Sequence, residues 1–169
     1  MKILTILRHA KAVEASSDLD DHERPLRERG LRQGVQVGQD TAGALPDLVL
    51  CSTALRTRET FASLVRGWRT TPPVRYERGL YLAGATALRR QIELAPDSLE
   101  RIWLIGHNPG VHDLARQLAE HAAGRQKFPS LAAHFPTAAR AVFAIDAPSW
   151  FDFERSPITF LDFVTTQGE

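Results

Sequence analysis

The chain has 169 residues, 43% of them hydrophobic and 24% charged, and 21 Lys+Arg against 20 Asp+Glu leave a formal net charge of +1. That length suits one domain with a substantial core, spanning 1–169, and the composition excludes a disordered or low-complexity chain. The balanced charge excludes a global field for nucleic acid or an anionic membrane, so any anion must be held locally.

The opening run MKILTILRHAKA is too short for a signal core or a membrane span, and the one cysteine, Cys51, excludes a disulfide framework and a multi-thiolate zinc site. Together they predict a cytoplasmic protein. From Lys2 to Leu7 the run is apolar and partly β-branched, a buried strand that ends in Arg8-His9. Residues 14–28 carry Ser16-Ser17, five acidic residues up to Glu23 and Arg24-Pro25, the composition of a loop. A helix is expected from about Glu28 to Ala44, with Gly30, Gly34 and Gly38 spaced for close packing on a sheet.

Asp47 to Cys51 repeats the opening pattern and runs into Ser52-Thr53, either of which suits the cap of a helix from Ala54 to Gly67. After Thr70-Thr71-Pro72-Pro73 come an extended piece, Val74 to Glu77, and a helix from Ala85 to Leu94 stopped by Pro96. A third clear strand, Arg101 to Ile105, ends in Gly106-His107-Asn108-Pro109-Gly110 and leads into a helix to about Ala122. Residues 124–138 read as loop, and Ala141 to Ile145 with Ile158 to Val164 read as antiparallel strands around Pro148-Ser149-Trp150.

Strand and helix alternate, which predicts a three-layer α/β sandwich: a mainly parallel central sheet, helices on both faces and an antiparallel C-terminal addition. In such sheets the ligand crevice lies beyond the carboxyl ends of the strands, where Arg8-His9, Ser52 to Arg56 and Gly106-His107-Asn108 would meet. That set suits phosphoryl transfer, in which negative charge spreads over oxygens that fixed cations can hold. Arg8 and Arg56 would grip phosphate, His9 would attack phosphorus through a neutral ring nitrogen, and His107 would serve as a hydrogen-bonded cation. Ser52 and Asn108 stand beside these residues as further candidate contacts, and Arg24 is a candidate for substrate recruitment or for bracing its loop against Asp20 or Asp21.

Three segments carry a resemblance to a known family. Leu7-Arg8-His9-Ala10-Lys11-Ala12, with Asp21, Arg24-Pro25-Leu26 and Gly30 behind it, resembles the opening signature of the histidine phosphatase superfamily in its SixA-like form. Ser52-Thr53-Ala54-Leu55-Arg56-Thr57-Arg58-Glu59-Thr60 resembles the second signature, which gives the phosphate contact to Arg56, and Ile105-Gly106-His107-Asn108-Pro109-Gly110 resembles the third, with His107 as second catalytic histidine. The resemblance implies a metal-independent phosphatase that needs no cofactor and forms a phosphohistidine intermediate on His9. Many ester-hydrolysing members carry an acid for the leaving oxygen; here Asn108 follows His107, and the candidate acid is Glu77. Imidazole, with a pKa near ~6.5, leaves without such help, so the expected substrate is protein phosphohistidine on a carrier protein.

The alternatives are a phosphomonoesterase acting on a small phosphorylated metabolite or phosphoprotein ester, with Glu77 as acid, and a phosphate-binding module without turnover. A cysteine phosphatase loop is excluded because the sixth residue after Cys51 is Thr57, flanked by Arg56 and Arg58. His107 and His112 match no zinc spacing, so no metal is expected, and His112 reads as surface. Trp103, Trp68 and Trp150 read as packing residues.

Overall fold

The computed structural model describes residues 1–166. Its strands are β1 Lys2–Arg8, β2 Leu48–Ser52, β3 Val74–Glu77, β4 Arg101–Gly106, β5 Arg140–Ile145 and β6 Ile158–Val164. Its α-helices are α1 Glu28–Thr41, α2 Leu55–Trp68, α3 Ala85–Glu93, α4 Gly110–Glu120 and α5 Phe128–Ala133. The strands form one sheet in the order β3-β2-β4-β1-β5-β6. The first four are parallel, β5 adds antiparallel to β1, and β6 adds antiparallel to β5.

Side chains alternate between two cores, as the period of a strand requires. Leu7, Val49, Cys51, Trp103 and Ile105 meet α1 and α2 through Val37, Phe61, Leu64 and Trp68. Leu4, Ile6, Leu50, Ile102, Leu104 and Phe143 meet α3, α4 and α5 through Leu88, Ile92, Val111, Leu114 and Leu131. Burial on both faces explains why β1, β2 and β4 read as nearly continuous apolar runs.

The connections place the site. From β1 the chain passes over β4 to β2, then on to β3, with α1 and α2 on one face; from β3 it returns to β4 and crosses β1 to β5, with α3 and α4 on the other. Right-handed crossovers put helices on opposite faces when the direction of travel reverses. The chain therefore diverges between β1 and β4, and a crevice opens at their carboxyl ends.

Several expectations need correction. α1 ends at Thr41, whose hydroxyl bonds the Val37 carbonyl at 2.7 Å, and not at Ala44. α2 has Ala54 at its cap position, whose methyl makes no cap bond; Ser52 stands two residues earlier, its hydroxyl accepting the Ala54 amide at 3.4 Å and lying 2.7 Å from His107 Nε2. Residues 124–138 are not simply loop: they hold α5, with Leu131 and Phe135 fully buried. Its single turn and a half gave too few residues for a helical period to show.

The close packing of Gly34 and Gly38 is against α2 and not against the sheet. A Cβ on Gly38 would lie 2.4 Å from the Leu64 carbonyl oxygen, and one on Gly67 the same distance from that of Val35. Glycines thus set the α1–α2 separation from both sides. Among the described residues no helix is long and apolar enough to cross a membrane.

Gly38→Ala is expected to push the two helices apart and lower unfolding free energy by about 2 kcal/mol, despite the better helix propensity of Ala. Gly43→Ala, with open space around the new methyl, is expected to change it by less than about 0.5 kcal/mol. Urea unfolding midpoints of the two variants check this.

Candidate active site

Parallel pairing sets Leu7 beside Ile105 and Arg8 beside Gly106, so His9 and His107 leave adjacent strand ends together. The His9 amide donates to the Gly106 carbonyl at 3.1 Å, extending the ladder by one bond. The two imidazoles lie with centroids 5.4 Å apart, and both are buried.

His9 Nδ1 lies 2.7 Å from the Ala10 carbonyl oxygen. A carbonyl only accepts, so Nδ1 carries the proton and Nε2 keeps its lone pair. Ala10 is fixed in turn by its amide bond to the Thr60 hydroxyl at 3.0 Å, on α2. Burial is the largest influence on His9 and lowers its pKa to about 3, with Arg56, Arg8 and Arg24 acting in the same direction and the Ala10 bond opposing them. His9 is therefore a neutral imidazole.

His107 Nε2 lies 2.7 Å from the Ser52 hydroxyl oxygen. Burial, then the neighbouring His9 and Arg56, lower its pKa to about 2. In the free site His107 is thus a neutral ring: the Asp21 carboxylate draws its pKa up, but does not offset the loss of water and the surrounding positive charge. Its Nδ1, Arg56 Nε and Asn108 Oδ1 are buried without a hydrogen-bond partner among the described residues. Buried polar atoms in that state are costly unless a ligand completes them.

Arg56, in the first turn of α2, has a side chain only 2% exposed. Its NH1 donates to the Asp21 carbonyl at 2.7 Å and its NH2 to Asp21 Oδ2 at 3.1 Å. Arg24 braces the same loop as one reading of the sequence expected, through Nε to Asp21 Oδ1 at 2.9 Å and NH1 to the Val13 carbonyl at 2.6 Å. Arg8 NH1 and Asn108 Nδ2 both donate to the Phe135 carbonyl, at 3.1 and 2.9 Å. The segment behind α5 therefore forms part of the site floor, and the Ala138 amide donates to the Arg8 and His9 carbonyls.

Glu77 stands opposite Ser52 in the β2–β3 register, at the correct end of the sheet. Its carboxylate is engaged by Arg75 Nε at 3.1 Å, and no hydrogen bond joins it to either histidine among the described residues. Arg58 donates to the Thr53 carbonyl from an exposed position. His112 is not a plain surface residue: its Nε2 reaches the Leu131 carbonyl at 2.7 Å and ties α4 to α5. Cys51 is fully buried, and burial pushes its thiol up to about 12, far from the thiolate a nucleophile needs.

Residues that motif reading passed over complete the wall. Tyr81 donates its hydroxyl to Asp21 Oδ2 at 2.5 Å, and its ring stands edge-on to His107 with centroids 5.5 Å apart. No local pattern marks it; only the return of the chain after β3 brings it here. A cavity of about 670 Å³ lies elsewhere, lined by Arg29, Arg32, Asp40 and Arg140 among others, and contains neither histidine. Chemistry, not the size of a hollow, marks this site.

Comparison with known proteins agrees with the geometry. Residues 4–81 match the model of the histidine phosphatase superfamily, branch 1. An uncharacterized protein of Mycobacterium tuberculosis is 34% identical over 154 residues, covering 88% of this chain and 92% of the relative. A structure assigned as the phosphohistidine phosphatase SixA of Nakamurella multipartitia superposes with a TM-score of 0.84 at 27% identity, covering 97% of this chain and 95% of the other. A mycobacterial glucosyl-3-phosphoglycerate phosphatase shares the fold, with a TM-score of 0.65 at 15% identity over 94% and 97% of the two chains. With paired histidines at its divergent strand ends and the buried Arg56 beside them, the chain belongs to the histidine phosphatase superfamily and is a SixA-like phosphatase.

Proposed function

We propose that this phosphatase removes the phosphoryl group from phosphohistidine on a partner protein, without a metal, through a phosphorylated His9. The observation that carries the reading is the His9 Nδ1 bond to the Ala10 carbonyl, which leaves Nε2 as the one nucleophilic atom beside Arg8, Arg24 and Arg56. Nε2 attacks phosphorus as the bond from phosphorus to the substrate's imidazole breaks; the departing imidazole takes a proton from solvent. Water then attacks the phosphorus on His9, releasing inorganic phosphate and restoring neutral Nε2.

The guanidinium groups hold the equatorial oxygens throughout both steps. His107, with Nε2 engaged by Ser52, offers Nδ1 to an oxygen. Arrival of the phosphate charge raises the proton affinity of His107, so its cationic role belongs to the loaded site. The absence of a carboxyl group bonded to either histidine among the described residues supports a leaving group that needs no acid. The ester reading keeps Glu77 in play, since it stands at the site end of β3 and one structural neighbour bears the name of a sugar-phosphate phosphatase. Retention of both histidines and both phosphate-gripping arginines supports turnover over a binding-only module.

In the presence of a chelator, phosphate release is expected to be faster from a phosphohistidine carrier than from an aryl phosphate. His9→Ala should reduce both by roughly a thousandfold or more, and Glu77→Gln should leave carrier hydrolysis unchanged. Turnover of esters alone, lost on Glu77→Gln, would transfer the assignment to the ester reading, and no turnover of either would leave the binding module.

The buried histidines also make stability depend on pH. Their folded pKa values lie below the unfolded value of 6.5, so the unfolded chain takes up protons first as pH falls. Stability is complete above pH 6.5 and is lost on acidification, by on the order of 2 kcal/mol per histidine between pH 7 and pH 5. Unfolding midpoints measured across that range should fall for wild type and fall less for His9→Asn; parallel curves for the two would contradict the assignment of buried neutral rings.

A further inference from the structure

A buried guanidinium needs a counter-charge and a fixed orientation, and for Arg56 both come from outside its own helix. Asp21 lies in the 3-10 turn Asp21–Glu23, in the loop between β1 and α1, and takes one N–H from each terminal nitrogen of Arg56 through its backbone carbonyl and Oδ2. Tyr81, after β3, donates to the same Oδ2, and Arg24 donates to Oδ1. Both carboxylate oxygens are therefore committed.

The turn itself is tied down on either side. The His22 amide donates to Asp20 Oδ1 at 3.1 Å, and His22 Nε2 lies 2.9 Å from the Thr53 hydroxyl oxygen, just before α2. The Tyr81 ring packs against His22 with centroids 4.8 Å apart and faces the Arg56 guanidinium carbon at 5.9 Å from its centroid. A guanidinium has five N–H donors. With two held by Asp21, the three that remain, including the buried and unpartnered Nε, are aimed by the clamp and not by the substrate.

We propose that Asp21 is a positioning residue for phosphoryl transfer, orienting Arg56 by a two-point grip, and that Tyr81 acts through Asp21 by fixing its carboxylate. The proposal rests on Arg56 holding phosphate, as in the preceding section. It assigns to Asp21 a task other than general acid. The hydroxyl of Tyr81, ahead of the guanidinium groups of Arg24 and Arg56, holds the Asp21 carboxyl down at about 2, so it has no proton to give near neutrality. Tyr81 is held protonated by the same bond, its pKa raised by burial first and by Asp21 next.

The test uses the full chain and a series of phosphorylated phenols and imidazoles whose leaving groups differ in pKa, read as kcat/KM. Asp21→Ala should lower kcat/KM by roughly tenfold to a hundredfold, by the same factor across the series, because a misaimed Arg56 is felt by every phosphoryl group alike. Asp21→Asn should recover part of that loss. Tyr81→Phe should cost less, and combining it with Asp21→Ala should cost nothing further.

A loss that grows with leaving-group pKa would make Asp21 an acid and overturn the proposal, as would unchanged kcat/KM in Asp21→Ala or full additivity with Tyr81→Phe. Circular dichroism and melting temperature separate these results from misfolding; should Asp21→Ala not fold, Asp21→Asn and Tyr81→Phe carry the same comparison. Arg56→Ala in parallel distinguishes the two levels: activity retained there removes the reading of Arg56, whereas activity lost there but kept in Asp21→Ala removes only the clamp.

Discussion

The parallel register of β1 against β4 decides where every other part of the site can stand. It fixes Arg8 opposite Gly106, so the first residues beyond the two strands, His9 and His107, emerge side by side although nearly a hundred positions separate them in the chain. The reversal of chain direction on either side of this pair keeps helices from closing over the strand ends. α2 then enters from the next strand and delivers Arg56 from its first turn. A slip of one residue in the β1–β4 pairing would turn Leu7 and Ile105 out of their core and carry the histidines apart, so the apolar alternation that stabilises the sheet also aligns the chemistry.

Electrostatics follows from that placement. Three guanidinium groups act on two imidazoles that the fold has taken out of water, and both rings respond by staying neutral. Neutrality makes His9 a nucleophile, and the Ala10 carbonyl selects the nitrogen that attacks. Asp21 removes one unit of the excess positive charge without entering the catalytic pair, since its oxygens face Arg24, Arg56 and Tyr81. A phosphoryl group supplies the remaining counter-charge. Its binding and the protonation of His107 must favour each other by the same factor, which gives the site a stronger grip on the anion than fixed charges alone would provide.

Much of this was legible in the sequence because local pattern and chemistry coincided there. Short apolar runs ending in Arg8-His9, Ser52 and Gly106-His107 announced both the strands and the face on which their ends would gather. The second signature assigned phosphate to Arg56 and not to Arg58, and the structure buries the one and leaves the other exposed. What escaped depended on contacts that no window of sequence contains. Tyr81 is set in the wall by the turn after β3, and Phe135 contributes a backbone carbonyl, which any residue type could have done. The neutrality of the His107 ring in the free site escaped for a related reason: desolvation is a property of the assembled core and cannot be read from the neighbours of a histidine in the chain. Asp21 stood within the quoted motif, yet beyond Arg24 of the same loop its partners, Arg56 and Tyr81, come from two other segments.

The central claim is that phosphate passes through His9 Nε2. Rapid-quench mixing of the protein with a carrier protein bearing radiolabelled phosphohistidine, followed by peptide mapping under alkaline conditions, tests it most directly. The account predicts transient label on His9, acid-labile and attached at Nε2, that forms and decays fast enough to account for turnover and is absent from His9→Ala. Label on another residue, attachment at Nδ1, or phosphate release with no phosphorylated protein at any time would contradict it.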